Sequence, residues 1–271
     1  MITGHHPAVT ESWPVVARGD SLDRVAESLP AAGAAHLWLL DLTGDPEPDM
    51  ALLDADERTR SAAAASARGR RRFALRRQAL RHLLAAYGGL TAADVAYAVG
   101  PWGRPRLAAA PPRPVRFNAS HAGDWGLVAL TRDRDPGVDL EALVPHDDLD
   151  AVARRYFADR ERADLAALAP ADRLAGFYRA WTRKEALIKA WGEGLSHPLD
   201  AFAVSLAAGE PPRLRWLDHG RRPGDGWALA HLDPAPGYVG ALALPGAAPA
   251  VSGFRLAGPG VRQSSYDQNA I

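Results

Sequence analysis

Residues 171–194 read ADRLAGFYRAWTRKEALIKAWGEG, with apolar side chains recurring every three or four positions. That period belongs to a helix lying on a core, and it predicts one from Ala171 to Trp191. Gly192 and Gly194 end it, as glycines end helices by taking left-handed backbone angles. Trp181, Glu185, Ile188 and Lys189 fall on one stripe, since positions three and four apart are neighbours on a helix. An exposed Glu–Lys pair there would be worth only a few tenths of a kcal/mol. Two features argue for more. Trp181 and Ile188 turn the stripe toward protein, and of the 32 Lys and Arg residues only Lys184 and Lys189 are lysines. A lysine can give up a proton when its pKa is lowered, whereas an arginine cannot. Residues 181–189 are therefore marked for chemistry.

Two shorter stretches upstream carry the period of strands. In FNASHAGDWGLVAL (117–130), the run Val115–His121 alternates, Gly123-Asp124 is a turn, and Trp125–Leu130 returns, which predicts a hairpin. After a break at Asp133–Pro136, GVDLE (137–141) is a further strand. His36–Leu42 reads as a buried strand. Helices are expected over 50–67, 68–87, 91–95, 147–157 and 158–169, a loop over 99–106, and strands at 201–206, 212–217, 226–232 and 237–244. Each half thus offers an apolar strand, a helical region and a hairpin. The expected fold is α+β, a pseudo-dimer of two similar lobes: a leader (1–34), an N-terminal lobe (35–135), a C-terminal lobe (136–257) and a mobile tail (258–271).

The 271 residues are 47% hydrophobic and 24% charged, a composition that folds rather than stays disordered. Acidic and basic residues balance at 32 each, which counts against life on a polyanion such as nucleic acid. Cysteine is absent, excluding disulfides, thiolate metal sites and a cysteine nucleophile. No secretory pattern opens the chain and no apolar run reaches a membrane span. A cytoplasmic location without membrane or nucleic-acid partners is expected.

On a strand, Asp139 and Glu141 point to one face with Cα atoms about 6.6–7 Å apart. Two carboxylates aimed at one spot repel unless a cation joins them, and oxygen ligands without Cys or His favour Mg²⁺ or Mn²⁺. Ser120 and His121, adjacent on a strand, point to opposite faces, so they do not form a nucleophile with its own base. Either can bind a phosphate oxygen. GPWGRPRL (100–107) and SARGRRRFALRRQALR (66–81) add arginines, whose forks suit phosphates.

The order FNxSH, GxDxE and (W)xxKExxxK resembles the Sfp-type 4′-phosphopantetheinyl transferases, and FYRAWTRKEALIKAWGEGLSHPLDAFAV (177–204), RFALRRQALRHLLA and GPWGRPRL look like that family too. The resemblance covers about residues 55–245. It implies transfer of 4′-phosphopantetheine from coenzyme A to a serine of an apo acyl, peptidyl or aryl carrier protein, with Mg²⁺, by a monomeric enzyme of polyketide or non-ribosomal peptide biosynthesis. It implies coenzyme A bound between two similar lobes. It further implies metal ligands Asp139, Glu141 and Glu185, with Glu185 as base. Lys184 and Lys189 would neutralise phosphates, and Lys189 would protonate the leaving group. Ser120 and His121 would hold coenzyme A phosphates, and Arg104 and Pro105 would flank the nucleotide. Position 104 is Arg where the family often has Lys, and Arg68, Arg70 and Arg71 stand where it often has lysines, leaving the N-lobe partner of the 3′-phosphate open. The rival readings are a metal-dependent nuclease and a non-catalytic carrier- or nucleotide-binding module.

Overall fold

A computed structural model describes residues 13–29, 31–43, 47–192, 197–217 and 226–257. In chain order come β1 (Val15–Val16), α1 (Asp20–Glu27), β2 (Ala34–Asp41), α2 (Ala55–Ala62) and α3 (Ala67–Gly88). Two hairpins follow, β3 (Tyr97–Val99) with β4 (Pro105–Leu107), then β5 (Arg116–Ala122) with β6 (Trp125–Thr131). Next are β7 (Gly137–Ala142), α4 (Leu149–Tyr156), α5 (Asp159–Ala167) and α6 (Pro170–Trp191). The remainder is strand: β8 (Phe202–Val204), β9 (Leu214–Leu217), β10 (Trp227–Leu232), β11 (Tyr238–Pro245) and β12 (Ala250–Leu256).

The fold is α+β with two lobes. One sheet runs β1-β12-β2-β6-β5 and the other β10-β11-β7. Each is covered by a helix of 22 residues, α3 and α6. Both helices stop at a left-handed glycine, Gly89 (φ 72°) and Gly192 (φ 75°), conformations that a Cβ would strain. Along β2 the side-chain alternation divides the strand between two cores. Trp38 and Leu40 pack with Leu80, Leu83 and Leu84 of α3. Ala35 and Leu37 pack with Leu127 of β6 and with Val138, Leu140 and Leu242 of the second sheet. Burial on both faces explains why this segment is an unbroken apolar run. A third core lies under α6, where Phe177, Leu187 and Ile188 meet α4, α5, β8 and β11.

Several expectations need correcting. The described part of the expected leader folds onto the N-terminal lobe: Val15 and Val16 pair with Arg255 and Leu256, and Leu22, Ala26 and Leu29 of α1 and its exit are buried in the first core. So few apolar positions on a short helix do not stand out among its polar neighbours. β12 has no counterpart in the sequence reading. It inserts between β1 and β2, parallel to both, and Phe254 stacks on Trp38 at 5.1 Å, so a segment beyond the expected lobe boundary completes the first sheet. The expected 50–67 helix is broken because Asp54 caps α2 with Glu57 reaching back, and Ser66 caps α3. Residues 91–95 form a turn closed by Thr91 and Asp94, and the 99–106 loop is the rim of the β3–β4 hairpin. Gly194 and the tail from Gly258 lie outside the described residues. No described helix is long and apolar enough to cross a membrane.

Candidate active site at the seam of the lobes

β5 and β7 meet where the sheets adjoin. Asn118 Oδ1 accepts from the Val138 amide at 2.9 Å, and Ser120 Oγ donates to Asp139 Oδ1 at 2.8 Å. α6 lies directly on β7: a Cβ at Gly137 would fall 1.9 Å from Ala186 O and 2.5 Å from Ala190 N, so glycine is required there. This contact brings Lys189 to Asp139. The Lys189 ammonium donates to Asp139 Oδ1 at 2.6 Å, and to Ser120 Oγ and Val138 O at 3.2 Å each. Asp139 is buried, and its second oxygen, Oδ2, has no hydrogen-bond partner.

Glu141 and Glu185 complete an acidic group. Burial, then the Asp139 charge, pushes Glu141 up to about 7, against the pull of Lys189 and with Glu185 adding to it. Trp181 donates a hydrogen bond to Glu141. Burial and then Asp139 push Glu185 up to about 6. Glu141 and Glu185 are thus raised by burial and by a like charge that the Lys189 ammonium offsets only in part. As the side chains stand, no group of three or more His, Asp or Glu among the described residues is arranged to hold a metal ion. The donor chemistry nevertheless suits a hard divalent cation: all-oxygen ligands, mutual repulsion to relieve, and an orphaned carboxylate oxygen at Asp139.

Beside this group opens a cleft of about 340 Å³, lined by Arg76, Arg77, Trp102, Pro105, His121 and Lys189 among others. His121 opens into it. The enclosing protein, then the Arg76 and Lys189 charges, hold its imidazole down at about 4. Burial, then Arg77 and Arg60, lowers Arg76 to about 10. Arg76 has no acidic partner among the described residues and rests on the Phe73 ring, 5.3 Å from its centroid. Arg77 is paired with Glu57 and Lys189 with Asp139, which leaves the Arg76 charge to meet an anion. Arg76 was not singled out within the stretch 66–81 because it was one arginine in a helix full of them. Trp102, exposed on the cleft rim, and Asn118, inside FNxSH, also had no role assigned.

Two expected site residues are placed elsewhere. Lys184 is fully buried on the opposite side of α6, where its ammonium pairs with Glu161 Oε2 at 2.7 Å and donates to Leu199 O at 2.7 Å and Phe202 O at 2.5 Å. It is a core residue of the C-terminal lobe, because one helical step turns a side chain by about 100° from its neighbour. Arg104 borders the cleft, but its guanidinium points away into three backbone carbonyls.

Comparisons with known proteins agree on one family. The profile of the 4′-phosphopantetheinyl transferase superfamily matches residues 135–243, which include β7 and α6. The 4′-phosphopantetheinyl transferase HetI of Nostoc sp. is 33% identical over 216 residues, covering 78% of this chain and 87% of that protein. A 4′-phosphopantetheinyl transferase of Bacillus subtilis is 37% identical over 167 residues, 57% of this chain and 72% of its own. The Bacillus subtilis protein Sfp is 36% identical over 118 residues, 43% of this chain and 50% of its own. The chain therefore belongs to the 4′-phosphopantetheinyl transferase family.

Proposed function

We propose that this enzyme moves 4′-phosphopantetheine from coenzyme A to the serine Oγ of an apo acyl, peptidyl or aryl carrier, releasing adenosine 3′,5′-bisphosphate, with Mg²⁺ or Mn²⁺ as cofactor. The observation that carries the reading is the grouping of Asp139, Glu141 and Glu185 around Lys189, which itself lines a cleft that also holds Arg76 and His121. A diphosphate needs cations on one side and a proton acceptor for its attacker on the other, and this seam offers both.

Glu185 takes the serine proton as Oγ bonds to the phosphorus nearer the pantetheine. The bond from that phosphorus to the bridging oxygen breaks, and Lys189 supplies charge and a proton to the departing phosphate oxygen. Asp139, Glu141 and Glu185 are the residues that would hold the divalent ion, whose part is to neutralise the diphosphate. Arg76 and His121 hold the 3′-phosphate, the imidazole gaining a proton as the anion arrives. Both lobes of one chain complete the cleft, which supports a monomer. Coenzyme A as cosubstrate supports a cytoplasmic location. The test is mass spectrometry of several apo carrier proteins after incubation with the enzyme, coenzyme A and Mg²⁺. Each modified carrier should gain one phosphopantetheine, and no gain on any carrier would refute the reading.

Two further results are expected. Protons compete with a divalent ion for Glu141 and Glu185, both raised by burial and by Asp139, so the Mg²⁺ concentration that half-saturates activity should rise as pH falls from 7 to 5. A Mg²⁺ requirement unchanged over that range would remove these two carboxylates from the metal site. Arg76→Ala should lower kcat/KM for coenzyme A about tenfold to a hundredfold, the size of a charge-assisted hydrogen bond. It should leave dephospho-coenzyme A nearly unaffected. Equal losses on both substrates would place Arg76 elsewhere.

A further inference from the structure

Arg104 stands where three pieces of chain meet. It belongs to the turn between β3 and β4 in the N-terminal lobe. Its Nη1 donates to Lys189 O at 2.5 Å and Ala190 O at 3.2 Å, and its Nη2 donates to Pro136 O at 2.9 Å. The Asp135 carboxylate lies 3.6 Å from Nη2. The last carbonyls of a helix have no partner within it. At the end of α6 the cap amide of Gly192 returns to Ile188 O, and Arg104 serves the next two carbonyls. The third carbonyl, Pro136 O, immediately precedes β7. One guanidinium therefore ties the end of α6, which carries Glu185 and Lys189, to the start of β7, which carries Asp139 and Glu141.

We infer that Arg104 is a positioning residue that clamps the acid-bearing strand to the lysine-bearing helix from the opposite lobe, and is not a ligand for nucleotide phosphates. The inference rests on the transferase reading of this seam. Shape supports it. A guanidinium is a rigid planar fork with five donors, whereas a lysine ammonium is a single point at the end of a flexible stem. Only the fork spans carbonyls on two elements at once. Attraction between a cation and the negative end of a helix adds to the hold. At position 137 the two backbones already touch, so a small slip of α6 along β7 would carry Lys189 off Asp139. Displacements of about 1 Å at reacting groups can cost a hundredfold in rate.

The test compares Arg104→Lys and Arg104→Met in the full-length enzyme. A clamp predicts that both variants lose kcat about tenfold to a hundredfold, with KM for coenzyme A changing less than threefold, and that Lys rescues little over Met. A phosphate ligand predicts the reverse: Lys near the parent, Met with a raised KM. That pattern would overturn the inference. Amide hydrogen exchange supplies a readout independent of catalysis. Exchange at residues 188–192 and 137–139 of the enzyme should quicken in both variants whether or not any carrier is ever modified, so a failed transferase reading and a failed clamp are told apart. Unchanged exchange overturns the clamp. Quickened exchange with unchanged kcat overturns its positioning role.

Discussion

Glu185→Gln is expected to lower turnover on a carrier protein about 10²–10⁴-fold, the usual contribution of a positioned proton acceptor. The amide keeps the size and the hydrogen-bonding reach of the side chain and loses the charge with which it would take a proton and hold a divalent ion. Folding should survive, because Glu185 is a cost to the fold rather than a support. Burial and Asp139 raise it to about 6, and burial and Asp139, with Glu185 adding, raise Glu141 to about 7. A carboxylate raised in the folded state stabilises the fold most below its unfolded value, near 4.5. That stability is lost as pH rises through the folded value. At pH 8 both are ionised and repel, so the Gln variant should melt at or above the temperature of the parent. Activity measured by carrier mass shift, paired with a thermal melt at pH 8, decides the matter. A melt well below the parent would make Glu185 a structural residue, and retained turnover would remove it from the chemistry.

Lys184→Met should destabilise the protein severely while leaving coenzyme A recognition intact. Glu161 caps α5 through the Ala158 amide at 2.9 Å and holds the Val204 amide of β8 at 2.8 Å, and Lys184 is its cation. Both side chains are fully shielded from water. Burial pushes Glu161 up and Lys184 down, and each partner only in part offsets the shift of the other. Such a pair is expensive to assemble and more expensive to break. Removing one partner strands the other charge, at a cost of about 3–5 kcal/mol. For a chain of this size that corresponds to roughly 6–20 °C in Tm. Lys184→Met with Glu161→Leu should recover much of the loss, because an apolar pair carries no stranded charge. If the single variant instead kept its Tm and raised KM for coenzyme A, Lys184 would belong to the cleft after all.

The two lysines separate what is legible along a chain from what is not. Their scarcity singles out one helix, and spacing puts Glu185 and Lys189 on one stripe. Both properties are local, and α6 runs from Pro170 to Trp191, one residue from the expected start. The β5–β6 hairpin and β7 were legible for the same reason, their side chains alternating within a few residues. Scarcity, however, says nothing about direction. Lys184 and Lys189 look equivalent in a count, yet one meets Glu161 and the other Asp139. Arg104 misleads in a similar way. It borders the cleft as its place in GPWGRPRL suggests, but its fork turns toward α6 and Pro136. β12 and α1 escaped notice because what makes them structure is contact with β2 and α3, far away in sequence.

Periodic burial, glycine stops and the pairing of neighbouring strands act over a handful of residues, so the amino-acid order alone is enough to draw the long helices, the hairpins and an α+β chain with an acidic strand and a basic helix. Which ammonium faces which carboxylate is another kind of fact. Asp139 and Lys189 are fifty positions apart, and they meet because a missing side chain at Gly137 lets α6 settle onto β7. Packing geometry at that one crossing, summed over contacts from both lobes, chooses the partners of each charge, and no local pattern encodes it.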